Sequence, residues 1–139
     1  MPPSDIKIGH ERACLALSDV HDGFSTRSGG KLDSLHALLV LPDLRAETQV
    51  HLTDAALEVS LDSFFSGLAN DWRGWEGVRE WATYERGLAL ACAHDRLGHV
   101  RVSVELREYS GHRWLVRGDV VVDAGQLDQL ARDLAAFVG

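Results

Sequence analysis

The sequence predicts one α+β domain over residues 1–139, in which two helices pack on an antiparallel sheet of about six to seven strands. Three observations support this fold. First, 139 residues with 45% apolar content are enough for one hydrophobic core and too few for two comfortable domains. Second, two segments, one central and one C-terminal, have a helical period. Third, the segment between them contains a glycine-ended turn that is typical of a β-hairpin.

Three short segments in the first third of the chain predict strands. Residues 13–17 and 37–41 are apolar runs, and residues 48–52 alternate apolar with polar side chains. Residues 18–34, between the first two segments, are rich in Gly, Ser and Asp and show no period. This composition predicts a long, mobile surface loop.

An apolar stripe predicts the central helix. Its members recur at i, i+3, i+4, i+7 and i+11, and they are Leu61, Phe64, Phe65, Leu68 and Trp72. Ser60 is a suitable N-cap, and Gly74 predicts the end of the helix. Because Trp72 continues the stripe, we expect its side chain to be buried.

The hairpin is predicted in most detail. Residues 81–85 and 88–94 predict two strands, and Asp95 and Gly98 then occupy the first and fourth positions of a type I turn. Pairing of Asp95 with His99 would set the register of the strands. Three apolar pairs then share one face: Cys92 with Val102, Leu90 with Val104, and Leu88 with Leu106.

The other face of this hairpin predicts a solvated or partner-facing surface. It carries small and polar side chains, namely Ala89, Ala91, Ala93, Arg101, Ser103 and Glu105. After the hairpin, residues 114–122 predict another strand, with Gly118 marking a bulge. Residues 127–137 repeat Leu, Ala and Phe at helical spacing and predict the C-terminal helix.

Composition argues against several classes of function. The formal charge of −7 and the pI near 5.4 are opposite to the basic surface of nucleic-acid binders, so we expect no nucleic-acid partner. No apolar run approaches the roughly 20 residues that span a bilayer. The N-terminus also lacks the apolar region of a signal peptide. We therefore expect a cytoplasmic protein with no membrane partner, in which Cys14 and Cys92 are buried free thiols.

No motif predicts catalysis, a metal or a cofactor. His94, Asp95 and His99 are residue types that bind metals, yet alternation along the strands would point the two histidines to opposite faces. Residues 28–34 lack the Ser or Thr that follows the lysine of a phosphate loop, and the dinucleotide-binding and GxSxG motifs do not occur. We therefore expect no catalytic residue, no metal and no cofactor.

Two groups of residues are candidates for binding a partner. One is the glycine-punctuated turn after the central helix, with Arg73, Trp75 and Glu76. The other is the polar hairpin face, which carries Arg101, Ser103, Glu105 and Arg107. Exposed aromatics beside charged residues are typical interface anchors, but Trp75 also fits the rim of a core, so both roles stay open for it.

Two sequence blocks carry a family resemblance. They are LANDWRGWEG at 68–77 and WATYERGLALACAHDRLGHVRVSV at 81–104. Over residues 61–137 the chain resembles a family of small actinobacterial domains of unknown function. More distantly, it resembles immunity proteins of the WapI type, although VVDAGQL at 121–127 departs from their pattern before the final helix. Because immunity proteins inhibit a toxin by binding it, this resemblance implies a protein-binding module without catalytic residues.

The sequence therefore predicts a non-enzymatic protein-binding module, and the resemblance implies an immunity-like inhibitor of a cognate toxin. Two other functions stay open. One is a small-molecule-binding sensor with a pocket between sheet and helices. The other is a small metal-dependent hydrolase whose site would combine histidines from distant segments, such as His36, His51, His94 and His99.

Overall fold

The computed structural model describes residues 5–19, 27–28, 31–32, 34–52, 59–83, 85–108 and 113–138. These residues form two four-stranded antiparallel sheets, a short two-stranded ribbon and two α-helices. The α+β class is therefore confirmed. The prediction of a single sheet of six to seven strands is wrong, because the described strands divide between two sheets.

The first sheet is built from the N-terminal third of the chain. Its strands are β1 (Asp5–His10), β2 (Ala13–Ser18), β5 (Ser34–Leu41) and β6 (Leu44–His51), in the order β1-β2-β5-β6. The ribbon pairs β3 (Arg27–Ser28) with β4 (Lys31–Leu32) inside the segment that was predicted to be a loop. Residues 20–26, 29–30 and 33 of that predicted loop lie outside the described residues.

The second sheet follows the central helix. Helix α1 spans Leu61–Asn70 and helix α2 spans Leu127–Val138. Between them lie β7 (Val78–Ala82), β8 (Leu88–His94), β9 (His99–Arg107) and β10 (Leu115–Asp123), in the order β10-β9-β8-β7. A single 3-10 turn, Ala124–Gln126, joins β10 to α2. Neither helix is long and apolar enough to cross a membrane.

The β8–β9 register agrees with the sequence prediction, whereas the turn differs from it. Cys92 pairs with Val102 and Leu90 with Val104, as expected. A type I turn is wrong because Arg96, at its second position, has a φ of +62°. The Asp95 carboxylate closes the turn instead, accepting hydrogen bonds from the Leu97 N–H at 2.7 Å and the His99 N–H at 3.0 Å.

Helix α1 ends earlier than the apolar stripe suggested. Its C-cap is Asp71, so Trp72 lies beyond the last helical turn. The Trp72 side chain is 47% exposed, and the prediction that it is buried is therefore wrong. Once the helix has ended, spacing along the stripe no longer determines which way a side chain points.

One core joins both sheets and both helices. Its buried members include Leu39 of β5, Phe65 of α1, Val104 of β9 and Leu134 of α2. The edge strands β1 and β10 lie beside each other, where the two sheets meet. The two sheets thus share one apolar interior.

Two glycines let the sheets approach closely. A Cβ atom at Gly118 of β10 would overlap Leu41 Cδ1 of β5. The predicted bulge at this residue is wrong, because β10 pairs with β9 without interruption. Gly9 of β1 has a φ of +116°, and a Cβ there would lie 2.5 Å from the backbone oxygen of Ala13 and 3.2 Å from Val120 Cβ.

We expect Gly9→Ala to lower the free energy of unfolding by about 3 kcal/mol, since alanine would both strain the backbone and contact the Ala13 oxygen. Urea denaturation of the purified protein measures this change. Gly67→Ala is the matched control, because Gly67 lies in α1 and a Cβ added there would have no heavy atom within 4 Å outside its own helix backbone. It should stabilise the protein by about 0.5–1 kcal/mol. Equal stability of Gly9→Ala and wild type would contradict the close approach.

Candidate interaction surface

The second sheet has one face turned away from the core, which we call the outer face. Strand β8 contributes only Ala89, Ala91 and Ala93 to it, because strand alternation turns its larger side chains inward. The β8–β9 register places these alanines opposite Glu105, Ser103 and Arg101, respectively. The centre of the outer face is therefore nearly flat.

The predicted hairpin residues Arg101, Ser103, Glu105 and Arg107 all belong to this outer face, but their exposure differs. Arg101 is exposed, whereas Ser103 and Arg107 are partly buried. Glu105 is only 7% exposed, so a fully solvated hairpin face is wrong at this residue. Burial of a carboxylate is costly unless charges or donors compensate it.

Three arginines surround the Glu105 carboxylate. Arg117 Nε lies 2.9 Å from Oε1, and Arg117 stands directly opposite Glu105 in the β9–β10 pairing. Arg107 Nε lies 3.5 Å from Oε2, two residues along the same strand. Arg86 Nε lies 3.8 Å from Oε2 and comes from the turn between β7 and β8. We call these four residues the Glu105 cluster.

The cluster holds Glu105 in its charged form. Burial by itself raises the pKa of the Glu105 carboxyl, but the hydrogen bond from Arg117 and the charges of Arg107, Arg117 and Arg86 together lower it below the ordinary value. Three guanidinium charges against one carboxylate leave a local charge of +2 (three minus one). This sign is opposite to the net charge of −7 for the whole chain.

The outer face also exposes aliphatic side chains. Val78 of β7 and Leu115 and Val121 of β10 are 55%, 41% and 38% exposed. They lie on the two edge strands of the sheet, on either side of the flat alanine row. Arginines together with exposed apolar groups are characteristic of protein interfaces.

The turn after α1 divides into a buried and an exposed part. Trp75 is 6% exposed and donates a hydrogen bond from its indole Nε1 to the Cys92 oxygen at 3.1 Å. The structure therefore favours the core role for this predicted binding residue. Arg73 and Glu76 are exposed: Arg73 lies over the exposed Trp72 ring at 5.2 Å, and Glu76 lies 3.8 Å from Arg96.

Trp72 is one of the surface residues that sequence reasoning missed. Its only signal was the polar pair that precedes it, Asn70 and Asp71, since polar residues at the end of an apolar stripe can mark the last helical turn. Leu97, at the tip of the β8–β9 hairpin, is 81% exposed and was also missed. We call Trp72, Arg73, Glu76 and Leu97 the turn surface.

His94 connects the two loops of this turn surface. Its Nδ1 accepts a hydrogen bond from the Arg96 N–H at 2.8 Å, so its Nε2 carries the proton and donates to the Trp72 oxygen at 2.7 Å. The ring also packs edge-on against Trp75, with centroids 5.1 Å apart. A histidine with both ring nitrogens bonded in this way serves as a structural link.

His99 has different neighbours, as strand alternation predicts. Its Nδ1 lies 3.0 Å from Asp95 Oδ2. The hydrogen bond from the Leu97 N–H is the largest cause that lowers the pKa of the Asp95 carboxyl, and His99 adds to it. Among the described residues, no group of three or more His, Cys, Asp and Glu side chains could hold a metal ion.

We expect Glu105→Gln to lower the free energy of unfolding by about 1–2 kcal/mol at neutral pH, since it removes a buried charged acceptor whose arginine partners face solvent. The folded-state pKa of Glu105 lies below its ordinary value of 4.5. Its contribution is therefore present above the unfolded-state pKa and is lost as pH falls through the folded-state pKa. Urea unfolding between neutral pH and about pH 3 should show the two proteins converging. A difference in unfolding free energy between the two proteins that does not change with pH would contradict this. The control is Glu80→Gln, at an exposed residue of β7.

We expect Trp72→Phe to remove most of the tryptophan emission that acrylamide quenches. Of the four tryptophans, Trp72 is 47% exposed, Trp75 and Trp81 are 6% and 8% exposed, and Trp114 is partly buried against the core. Trp75→Phe should leave the quenched fraction unchanged and instead lower stability, because the hydrogen bond to the Cys92 oxygen is lost. Stern–Volmer plots of the two variants measure the difference, and unchanged quenching in Trp72→Phe would show that this ring is buried.

Comparison with known proteins identifies a family. No curated protein matches the chain. Residues 9–139, which are most of the chain, match the model of DUF6228, described as a family of unknown function. The resemblance to a domain family of unknown function is thereby confirmed, while the likeness to immunity proteins stays a prediction. The chain belongs to the DUF6228 family.

Proposed function

We propose that this chain is a non-enzymatic protein-binding module whose interface is the outer face together with the turn surface. The observation that carries the proposal is the composition of the outer face. Exposed Val78, Leu115 and Val121 border a flat row of alanines, and arginines project beside them. A partner can approach closely over the alanines and bury the aliphatic groups, while the arginines supply specific hydrogen bonds.

The size of the outer face supports a combined interface. Four strands spaced about 4.8 Å apart are about 19 Å wide, and six residues at about 3.3 Å per residue are about 20 Å long, so the flat area is roughly 400 Å². A stable interface buries about 800 Å² on each partner. The outer face alone is therefore too small, and the turn surface, at the hairpin end of the same sheet, supplies further contact area.

The charge pattern of the outer face indicates what kind of partner would fit. At the hairpin end, His99 stands opposite Asp123 and bonds to Asp95, so two carboxylates lie there. Arg101, Arg107 and Arg117 lie further along the face. A partner with basic groups over the two carboxylates and acidic groups over the arginines would be complementary in charge.

We propose further that the partner is a toxin-like protein and that the chain inhibits it by binding, as immunity proteins do. The sequence blocks at 68–77 and 81–104 motivate this proposal, and both blocks contribute to the interface. The site of action that we propose is the cytoplasm. There Cys14 and Cys92, which are free and buried, would remain reduced.

Affinity capture with a charge-reversal variant tests the protein-binding role. The tagged chain is incubated with lysate of the organism that encodes it, and bound proteins are identified by mass spectrometry. Arg101→Glu should reduce recovery of a specific partner at least about tenfold, because it reverses an exposed charge on the outer face. Arg45→Glu is the matched control, since Arg45 is also exposed, on a strand of the first sheet.

The outcomes test the protein-binding role and the position of the interface separately. A partner lost in Arg101→Glu and retained in Arg45→Glu supports the proposal. A partner that both variants retain contradicts the outer face as its interface, and the absence of any specific partner contradicts the protein-binding role. Inhibition of a captured toxin, measured with the purified pair, tests the immunity-like form of the proposal.

A further inference from the structure

We propose that the three arginines of the Glu105 cluster form a binding site for an oxyanion that carries two negative charges. The ligand chemistry is that of a phosphate or of paired carboxylates. This inference goes beyond the protein-binding role and does not require it. It depends on the orientation of the guanidinium groups and on the charge that remains after Glu105 is paired.

The three guanidinium groups contact Glu105 in the same manner. Each uses its Nε atom, at 2.9 Å from Arg117, 3.5 Å from Arg107 and 3.8 Å from Arg86. A guanidinium has five N–H donors, of which four belong to the two terminal nitrogens. The contacts of these arginines with Glu105 are made through Nε, so they do not use the terminal nitrogens. Terminal nitrogens of this kind can act as forked donors, the arrangement that pairs best with carboxylate and phosphate oxygens.

The charge of the cluster favours a second anion. Glu105 neutralises one of three positive charges, so two remain without a countercharge within the cluster. A dianion would complete the neutralisation. Asp119, the nearest acidic residue along β10, stands opposite Ser103 in the register, one pair further along the face from Arg117. The ion pairs of the three arginines are made with Glu105 and not with Asp119.

Burial of Glu105 distinguishes this cluster from ordinary surface arginines. The Glu105 side chain is 10% exposed, whereas those of Arg86, Arg107 and Arg117 are 52%, 33% and 73% exposed. The fixed carboxylate thus holds three solvent-facing guanidinium groups together, although their like charges repel each other. The three arginine side chains are therefore already partly ordered, and they lose less conformational entropy when an anion binds.

The test is a nuclear magnetic resonance titration of the arginine Nε–Hε signals of the full chain. The probes are inorganic phosphate, succinate and a tetraglutamate peptide, each compared with sodium chloride at equal ionic strength. We expect saturable shifts of the Arg86, Arg107 and Arg117 signals with at least one probe. Tightest binding of phosphate would assign the site to phosphate-bearing ligands, and tightest binding of tetraglutamate would assign it to an acidic protein segment.

Three variants make the test specific. Arg86→Gln should weaken anion binding at least about tenfold. Because the contact of Arg86 with Glu105 is the longest of the three, this variant disturbs the position of Glu105 least. Arg107→Lys keeps the charge but loses the forked donor, so it should weaken binding as well. Arg101→Gln removes an exposed charge from the same face outside the cluster and should leave binding unchanged.

Two results would overturn the inference. One is the absence of saturable binding of all three probes. The other is equal weakening by Arg101→Gln and Arg86→Gln, which would indicate diffuse attraction by the face. Failure here can be told from failure of the protein-binding role, because partner capture that depends on Arg101 does not require the anion site. Conversely, if the chain binds an anion but captures no partner, the anion site is supported and only the protein-binding role is contradicted.

Discussion

The hydrogen bonds that the Asp95 carboxylate accepts from Leu97 and His99 determine how the second sheet is assembled. They close the β8–β9 hairpin and so fix which residues of the two strands face each other. Side chains alternate along a strand, and a slip of one residue would exchange the core face for the outer face along its whole length. The apolar core of this sheet, the alanine row and the Glu105 cluster all depend on this single turn.

The Glu105 cluster is a second consequence of that register. A buried carboxylate on a sheet face loses solvation, and the surrounding guanidinium groups more than offset that loss, because together they lower the pKa of Glu105 below its ordinary value. Since those groups face solvent, the arrangement adds only about 1–2 kcal/mol to the free energy of unfolding. It also gives several cationic groups a fixed position, which is useful for recognition.

Local pattern was enough to predict the elements whose neighbours are close in sequence. The β8–β9 register, the start of α1 at Leu61 and the apolar stripe of α2 follow from alternation, helical spacing and turn chemistry. Strand β1 was missed because only Ile6 and Ile8 signal it, and they become buried only through pairing with β2. The division into two sheets depends on contacts between distant segments, such as Gly118 with Leu41, and no local sequence pattern indicates such contacts.

The candidate surface was predictable to a similar extent. Alternation placed Arg101, Ser103, Glu105 and Arg107 on one face, which the structure bears out. The burial of Glu105 was not predictable, because it results from Arg86 and Arg117, which come from a separate turn and a separate strand. For a related reason, Trp72 is exposed where the helical period predicted burial, and Trp75 has the core role that was one of its two open possibilities. Helix α1 ends at Asn70, and no period remains to assign the side chains beyond it.

The link through His94 has a consequence for the mechanics of the turn surface. Trp72 and His94 are 22 residues apart, yet one imidazole ties the loop after α1 to the tip of the hairpin. The Trp75 indole adds a second tie between the same two segments through its hydrogen bond to the Cys92 oxygen. Joined in this way, the two loops move as one body and lose little conformational freedom when a ligand orders them, so the entropic cost of association at the turn surface is small.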